Sequence, residues 1–343
     1  MAYSDIDKPS DYFNTTLWNG NNSTQSITGV GFQPDLVWTK ARNIDYGHSL
    51  FDIVRGTTKR LISSGTDAES TISGVTSFDS DGFTLGSNAN CNESTRTYVG
   101  WNWLAGGTAS SNTDGSITSQ VSASTTSGFS IVSYTGTGAN ATVGHGLGVA
   151  PKMIIIKNRD DGTKSWVVGH QSIGFTKYLV LETTNAEATN STIFQDTDPT
   201  STVFSLGTNT AVNQSSASTI AYCFADKKGF SKFGSYTGNG SADGTFVYTG
   251  MRPAFVLIKQ TNTAREWYIF DNKRDAFNPE KTFLEPSTSD ADATVNPTLD
   301  FVSNGFKLKT TNAAFNDSGG TYIYMCFSEF PLVGTNNVVG CAR

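Results

Sequence analysis

The chain has 343 residues, a formal net charge of −6 and a pI near 5.1, so no general basic surface invites nucleic acid. Only 16% of residues are charged, while 22 Phe, 12 Tyr and 6 Trp favour strands joined by tight turns and argue against disorder. No run of about 18 apolar residues offers a membrane span, and the polar start MAYSDIDKPSDYF lacks the apolar stretch of a signal peptide.

Residues 1–13 read as an N-terminal arm, and residues 14–106 as a first β-rich unit. In that unit Trp18 opens WNGNN, and 16 residues later Pro34 begins PDLVWTK: a proline, mostly apolar strand residues, and Lys40. TTKRLISS (57–64) is a candidate short helix. SFDSDGFTLGS then carries Phe83, Asn92 follows nine residues later, and TYVGWNW closes the unit with Trp101 and Trp103 on one sheet face. Residues 107–127 are a polar Gly/Ser/Thr stretch that reads as a linker or long surface loop.

A second unit, 128–226, repeats the order: Tyr134 in SYTGTG, Pro151 to Lys157 in PKMIIIK, a helix candidate FTKYLVLET (175–183), Phe204, Asn213, then TIAYCF. A third, 230–330, repeats it again: Tyr236 in SYTGNG, Pro253 to Lys259 in PAFVLIK, a helical turn near 282, Phe306, Asn316, then TYIYMCF. Residues 331–343 form a tail. The three prolines stand 117 and 102 residues apart, and several landmarks keep their order and offsets, which is the mark of an internal triplication. The expected fold is all-β: three tandem homologous β-sandwich or jelly-roll-like units, mostly antiparallel, with short helical turns. MIIIK and FVLIK, apolar without alternation, suit central strands covered on both faces.

The recurring lysine invites a catalytic reading, which needs a depressed pKa and a substrate-presenting partner. Triplication favours a structural one, in which the strand leaves the core and the lysine reaches water over its aliphatic stem. His48, His145 and His170 share no repeat position and no metal-binding spacing. The acidic runs at 79–81, 196–198 and 288–294 lack the spacing of a hand-type calcium loop, and no carboxylate pair recurs. No metal, cofactor or catalytic residue is therefore assigned. The bulky pair Trp101 and Trp103, echoed by Tyr222/Phe224 and Met325/Phe327, reads first as packing. Its functional alternative is a sugar-stacking or protein-contact platform, with Trp18, Tyr134 and Tyr236 as weaker candidates. Cys91, Cys223, Cys326 and Cys341 match no zinc or redox spacing and read as buried or inert thiols made in a reducing cytoplasm.

The phrases IDKPSDYFNT, LWNG, TGVGFQPDLVW, DIVRG, SFDSDGFTLGS and YVGWNWLAGG, spanning residues 4–107, resemble tail-fibre-like and other virion structural proteins of marine bacteriophages, such as cyanophage-type podoviruses and myoviruses. The resemblance implies a non-enzymatic particle component, made in the host cytoplasm and located in the virion. Its partners would be other tail or capsid proteins and, through exposed loops, a host-surface glycan. A tail fibre or fibre-like appendage leads, capsid decoration or a head fibre is the alternative, and a carbohydrate-degrading tail enzyme comes third. A homotrimer or a single-chain pseudo-threefold unit both fit that setting.

Overall fold

The computed structural model describes residues 4–334 and residue 339. The rest of the tail, with Cys341, lies outside the described residues. Nine strands form between residues 13 and 103. They are β1 Phe13–Asn19, β2 Gln25–Thr28, β3 Leu36–Ala41, β4 Ser49–Asp52, β5 Lys59–Ile62, β6 Ser70–Thr71, β7 Val75–Asp79, β8 Gly82–Leu85 and β9 Thr97–Trp103. They make a larger sheet, β1-β9-β3-β4-β5-β6, and a smaller one, β2-β8-β7.

The next stretch holds β10 Ser110–Asn112, β11 Ser119–Ser124, β12 Phe129–Thr135, β13 Ala141–Gly144 and β14 Met153–Asn158. It continues with β15 Val167–His170, β16 Lys177–Val180, β17 Ala188–Thr189, β18 Val203–Leu206 and β19 Ser218–Phe224. Its sheets run β10-β11-β12-β19-β14-β15-β16-β17 and β13-β18. The last stretch has β20 Ser231–Thr237, β21 Phe246–Tyr248, β22 Met251–Gln260 and β23 Trp267–Asp271. After these come β24 Glu280–Phe283, β25 Ala293–Val302, β26 Gly305–Leu308 and β27 Thr321–Pro331. Here the sheets run β20-β27-β22-β23 and β21-β26-β25-β24. The same four-strand order therefore stands in each larger sheet: β1-β9-β3-β4, β12-β19-β14-β15 and β20-β27-β22-β23, all paired antiparallel.

The proline–lysine heptads lie on β3, β14 and β22, each flanked by strands on both sides. Every residue of β3 and β14 is buried, because each face of the larger sheet packs against another layer. One face covers the smaller sheet of its own stretch. Val37, Phe51 and Phe83 meet there in the first stretch, Ile154, Ile156 and Phe204 in the second, and Val256, Ile258 and Phe306 in the third. The opposite faces of the three larger sheets converge on one shared core, with Trp38, Trp101, Ile155, Tyr222, Leu257 and Met325 among its members. At its heart Trp103, Phe224 and Phe327, one from each stretch, form a triangle with ring centroids 6.5, 5.8 and 6.1 Å apart. Burying such rings removes roughly 150–250 Å² of apolar surface apiece from water, which makes this core the main tie between the three sheets.

Two expectations are corrected. The helix candidates at 57–64 and 175–183 and the turn near 282 are the strands β5, β16 and β24. Their apolar runs are too short to carry a period, and pairing with a neighbouring strand, as Leu50 with Leu61 and Val167 with Val180, overrides helix propensity. The helices instead are four-residue pieces: α1 Ala89–Asn92, α2 Ser191–Phe194, α3 Thr210–Asn213 and α4 Ala313–Asn316. Nor is 107–127 a linker. It supplies β10 and β11, which extend the second larger sheet, and it buries Ile117, Ser119 and Val121.

Candidate functional site

The aromatic candidates are all taken up by packing. Trp101 and Trp103 are at most 1% exposed in the shared core, and Trp18, Tyr134 and Tyr236 at most 8%. Each of the latter three anchors a short helix: Trp18 Nε1 donates to the Cys91 carbonyl (3.0 Å), Tyr134 Oη to Val212 (2.6 Å), and Tyr236 Oη to Phe315 (2.8 Å). A stacking platform for a sugar needs an open ring face, so these five side chains do not form one.

Asn92, Asn213 and Asn316 explain their recurrence. Each is wholly buried and staples the loop after β1, β12 or β20 to the turn before its helix. Their Oδ1 atoms accept the amides of Asn21, Thr137 and Asn239, and their Nδ2 atoms donate to the carbonyls of Gly86, Gly207 and Thr310 at 2.8–2.9 Å. The glycines of the preceding turn are required by the same closeness: a Cβ at Gly136 or Gly238 would stand 2.3 Å from the carbonyl oxygen of Gln214 or Asp317. Phe83, Phe204 and Phe306 are fully buried beneath.

Lys40, Lys157 and Lys259 depart from expectation: they do not reach water. All three are 0% exposed, opposite Val99, Ile220 and Ile323 of the adjacent strand. Each ammonium donates to the carbonyl of the next residue (Ala41 2.6 Å, Asn158 2.7 Å, Gln260 2.7 Å). Each finds a second carbonyl, on Ile44 (3.2 Å), Lys164 (3.0 Å) and Thr184 (3.2 Å) respectively. Burial pulls each lysine down to about 8. The ammonium thus bonds main chain at the end of the central strand, so its buried charge is met by backbone carbonyls.

The most informative chemistry lies where the sheets meet. Between the first and second stretches, Asp52 accepts Arg55 Nε, the backbone amides of Val54 (3.1 Å) and Arg55 (2.9 Å), and Tyr222 Oη (2.8 Å) from the neighbouring sheet. Arg55 also reaches Glu69 (3.2 Å), which Arg159 grips through Nε (2.8 Å) and Nη2 (3.0 Å). Between the third and first stretches the pattern recurs. Asp271 accepts Arg274 Nε (2.6 Å) and Trp101 Nε1 (3.0 Å), Arg274 reaches Asp292 (3.1 Å), and Arg42 Nε binds Asp292 (2.8 Å). Burial pushes the Asp271 carboxyl up, but Arg274, its backbone amide and Trp101 together more than offset this and hold it below its ordinary range. A fully buried pair of this kind is tolerated only because its remaining lone pairs are met.

Between the second and third stretches the buried ion pairs are gone, and the part-exposed pair Lys177–Glu187 stands in their place. His170, Ile173, Met325 and Thr261 stand where the other junctions have Asp, Arg, a hydrogen-bonding aromatic and Arg. Met325 offers no donor to a buried acid, and no acid is there. His170 Nδ1 accepts the Ser172 amide (3.1 Å), which leaves Nε2 to donate to the Tyr324 carbonyl (3.3 Å). Burial holds this imidazole down at about 4, so it is neutral near pH 7. Only the backbone bond survives in all three junctions: Glu69 N to Arg159 O (2.7 Å), Asp292 N to Arg42 O (2.7 Å) and Glu187 N to Thr261 O (2.8 Å). At this junction a groove of about 380 Å³ opens, lined by Ser172, Lys177, Glu187, Ser235, Thr261 and Thr321 among others.

Other sequence candidates make local bonds. His48 Nδ1 accepts Trp38 Nε1 (2.9 Å), and His145 Nδ1 accepts the Leu147 amide (3.2 Å). Asp81 receives the amides of Gly29 (3.0 Å) and Gly31 (2.7 Å). Among the described residues no three His, Cys, Asp or Glu side chains gather to hold a metal, and no helix is long and apolar enough to cross a membrane. The junction residues escape sequence reading because their partners across each junction are more than 70 positions away (Glu69 and Arg159, Asp52 and Tyr222, Glu187 and Thr261). The legible signal was the repeat of Asp52 and Asp271, each three residues before an arginine, with His170 as the exception. Residues 8–331 match the model of a family described as a domain of unknown function, DUF7483. No curated protein matches the chain.

Proposed function

We propose, from the premise that the chain belongs to the DUF7483 family, that it is a non-enzymatic structural protein of a bacteriophage particle. In this reading it is a fibre-like appendage whose three homologous units make a single-chain pseudo-threefold body. The observation that carries the reading is the shared aromatic core, on which equivalent strands of three successive stretches converge. One chain then offers a near-threefold outline, which suits a threefold position on a particle. The resemblance of residues 4–107 to virion structural proteins supports the same setting. The residues that repeat most faithfully, the heptad lysines, the asparagines and the strand-end aromatics, are spent on packing and backbone capping, as expected of a scaffold whose variable loops make contact. Contact with a host-surface glycan therefore falls to loops, not to the repeated aromatics.

The test is location. Immunogold labelling of intact particles with antibodies to this chain should decorate the tail or its fibres, with mass spectrometry finding the chain in purified particles. Label on the head transfers the assignment to capsid decoration. A chain missing from purified particles, or one that cleaves polysaccharide in vitro, overturns the proposal.

A further inference from the structure

The three junctions differ in one respect that points to a ligand. Where the first and second stretches meet, the Arg159 guanidinium lies between Glu69, which it binds through Nε and Nη2, and Ser133 Oγ, which Nη1 approaches at 3.4 Å. The matching residues at the junction of the second and third stretches are Glu187, Thr261 and Ser235. Ser133 and Ser235 hold the same register, paired with Ile220 and Ile323, and Arg159 and Thr261 both follow the buried lysine by two. Thr261 is too short to reach, and Ile173 replaces the second guanidinium that the matching Arg55 sends to Glu69. Glu187 is consequently more open than its counterparts, its side chain 22% exposed against 14% for Glu69 and 15% for Asp292. Lys177, itself 38% exposed, donates to Glu187 Oε1 (2.5 Å); a pair so exposed holds weakly, and a visiting guanidinium would have to displace it.

From this geometry we propose that the groove is a binding site for the arginine side chain of a partner protein. The chain itself shows the fit: its own guanidinium occupies the equivalent space between carboxylate and hydroxyl elsewhere. A planar fork satisfies a carboxylate with two parallel bonds, which an ammonium cannot. The volume of about 380 Å³ accepts a side chain with its flanking backbone, and the net charge of −6 favours a cationic visitor. The hydroxyls of Ser172, Ser235, Thr237 and Thr321 border the groove and offer acceptors for the remaining N–H groups. This inference is independent of where the protein resides.

The test uses the full chain and N-acetyl-Gly-Arg-Gly-amide, with the Lys and citrulline analogues as controls, followed by isothermal calorimetry and NMR shift mapping. Saturable binding of the Arg peptide is expected, at least tenfold tighter than either control, with shifts confined to residues around Glu187 and Ser235. Thr261→Arg should fill the groove from within and abolish binding while leaving the protein folded, and Glu187→Gln should weaken binding at least tenfold. Equal binding of the Lys and Arg peptides, binding that survives Thr261→Arg, or no binding at all would refute the site. Free arginine binding as tightly as the peptide would replace the protein partner with a small guanidine. A neutral sugar displacing the peptide would replace it with a saccharide.

Discussion

Tyr222→Phe isolates one side chain's bonds across the first junction. The substitution removes a single oxygen from a fully buried ring and leaves its packing against the shared core in place. What is lost is the donor to Asp52 Oδ2 at 2.8 Å and a longer acceptor contact from Arg55 Nη2 at 3.4 Å, while Arg55 Nε and two backbone amides still bind the carboxylate. A hydrogen bond to a buried charge contributes about 1.5–3 kcal/mol, so urea unfolding followed by tryptophan fluorescence should show a loss of that size with an unchanged slope. In a double-mutant cycle with Asp52→Asn, which itself should cost about 3–5 kcal/mol by stranding Arg55, the coupling should be of the same order as the single bond. Met325→Leu, at the equivalent place in the junction of the second and third stretches, removes no donor and should cost less than about 1.5 kcal/mol. A Tyr222→Phe protein within about 0.5 kcal/mol of wild type, or equal losses at Tyr222 and Met325, would refute the claim that this oxygen serves the buried acid.

Three further outcomes are expected. His170 titrates near 4 when folded and near 6.5 when unfolded, so the unfolded chain binds the extra proton first and stability falls as pH drops through that window. The loss attributable to it is about 3 kcal/mol, and His170→Phe should flatten the acid limb of a stability–pH curve. The lysines work with the opposite window: between pH 8 and 10.5 the unfolded chain holds protons that the folded chain has released, so stability rises with pH. Relative to Lys157→Met, the wild type should therefore gain up to about 3 kcal/mol on going from pH 8 to 10.5; a difference that stays flat means the ammonium is held by its two carbonyls more strongly than burial disfavours it. Finally, burial raises the Cys91, Cys223 and Cys326 thiols above their ordinary range, so these three should resist alkylation until the chain unfolds. Modification of any of them at a rate matching a free thiol would contradict their burial.

How much of this was legible in the chain follows from the range of the forces involved. The strands PKMIIIK and PAFVLIK declared themselves because unbroken apolar runs bounded by turns have few other uses. The asparagines were legible as landmarks but not as staples, since one half of each staple is a loop more than 70 residues away (Asn92 to Asn21, Asn213 to Thr137). TTKRLISS and FTKYLVLET misled because eight or nine residues with mixed Lys and Leu satisfy either period, and only the neighbouring strand decides between them. The heptad lysine misled in a different way. Exposure was inferred from its charge, but backbone carbonyls at the end of a central strand meet the buried ammonium in all three copies.

The junctions also bear on why one chain should carry three sheets of the same strand order. In a homotrimer every interface is the same, so a change that removes Arg at one removes it at all three. Here Asp52–Arg55–Glu69–Arg159 and Asp271–Arg274–Asp292–Arg42 form buried charged networks, and His170–Ile173–Glu187–Thr261 does not. The differences go together: where the cross-sheet residue is Met325 in place of a donor the acid is absent, and so are both arginines that would meet Glu187. Removing one member of such a network alone strands a buried charge at a cost of about 3–5 kcal/mol, whereas removing the set together is close to neutral. Restoring single members should therefore fail where restoring the set succeeds. His170→Asp alone should destabilise the protein by burying an unpaired carboxylate, and His170→Asp with Ile173→Arg and Met325→Tyr should recover most of that loss. If the triple variant is no more stable than the single one by urea unfolding, the three junctions are not versions of one design.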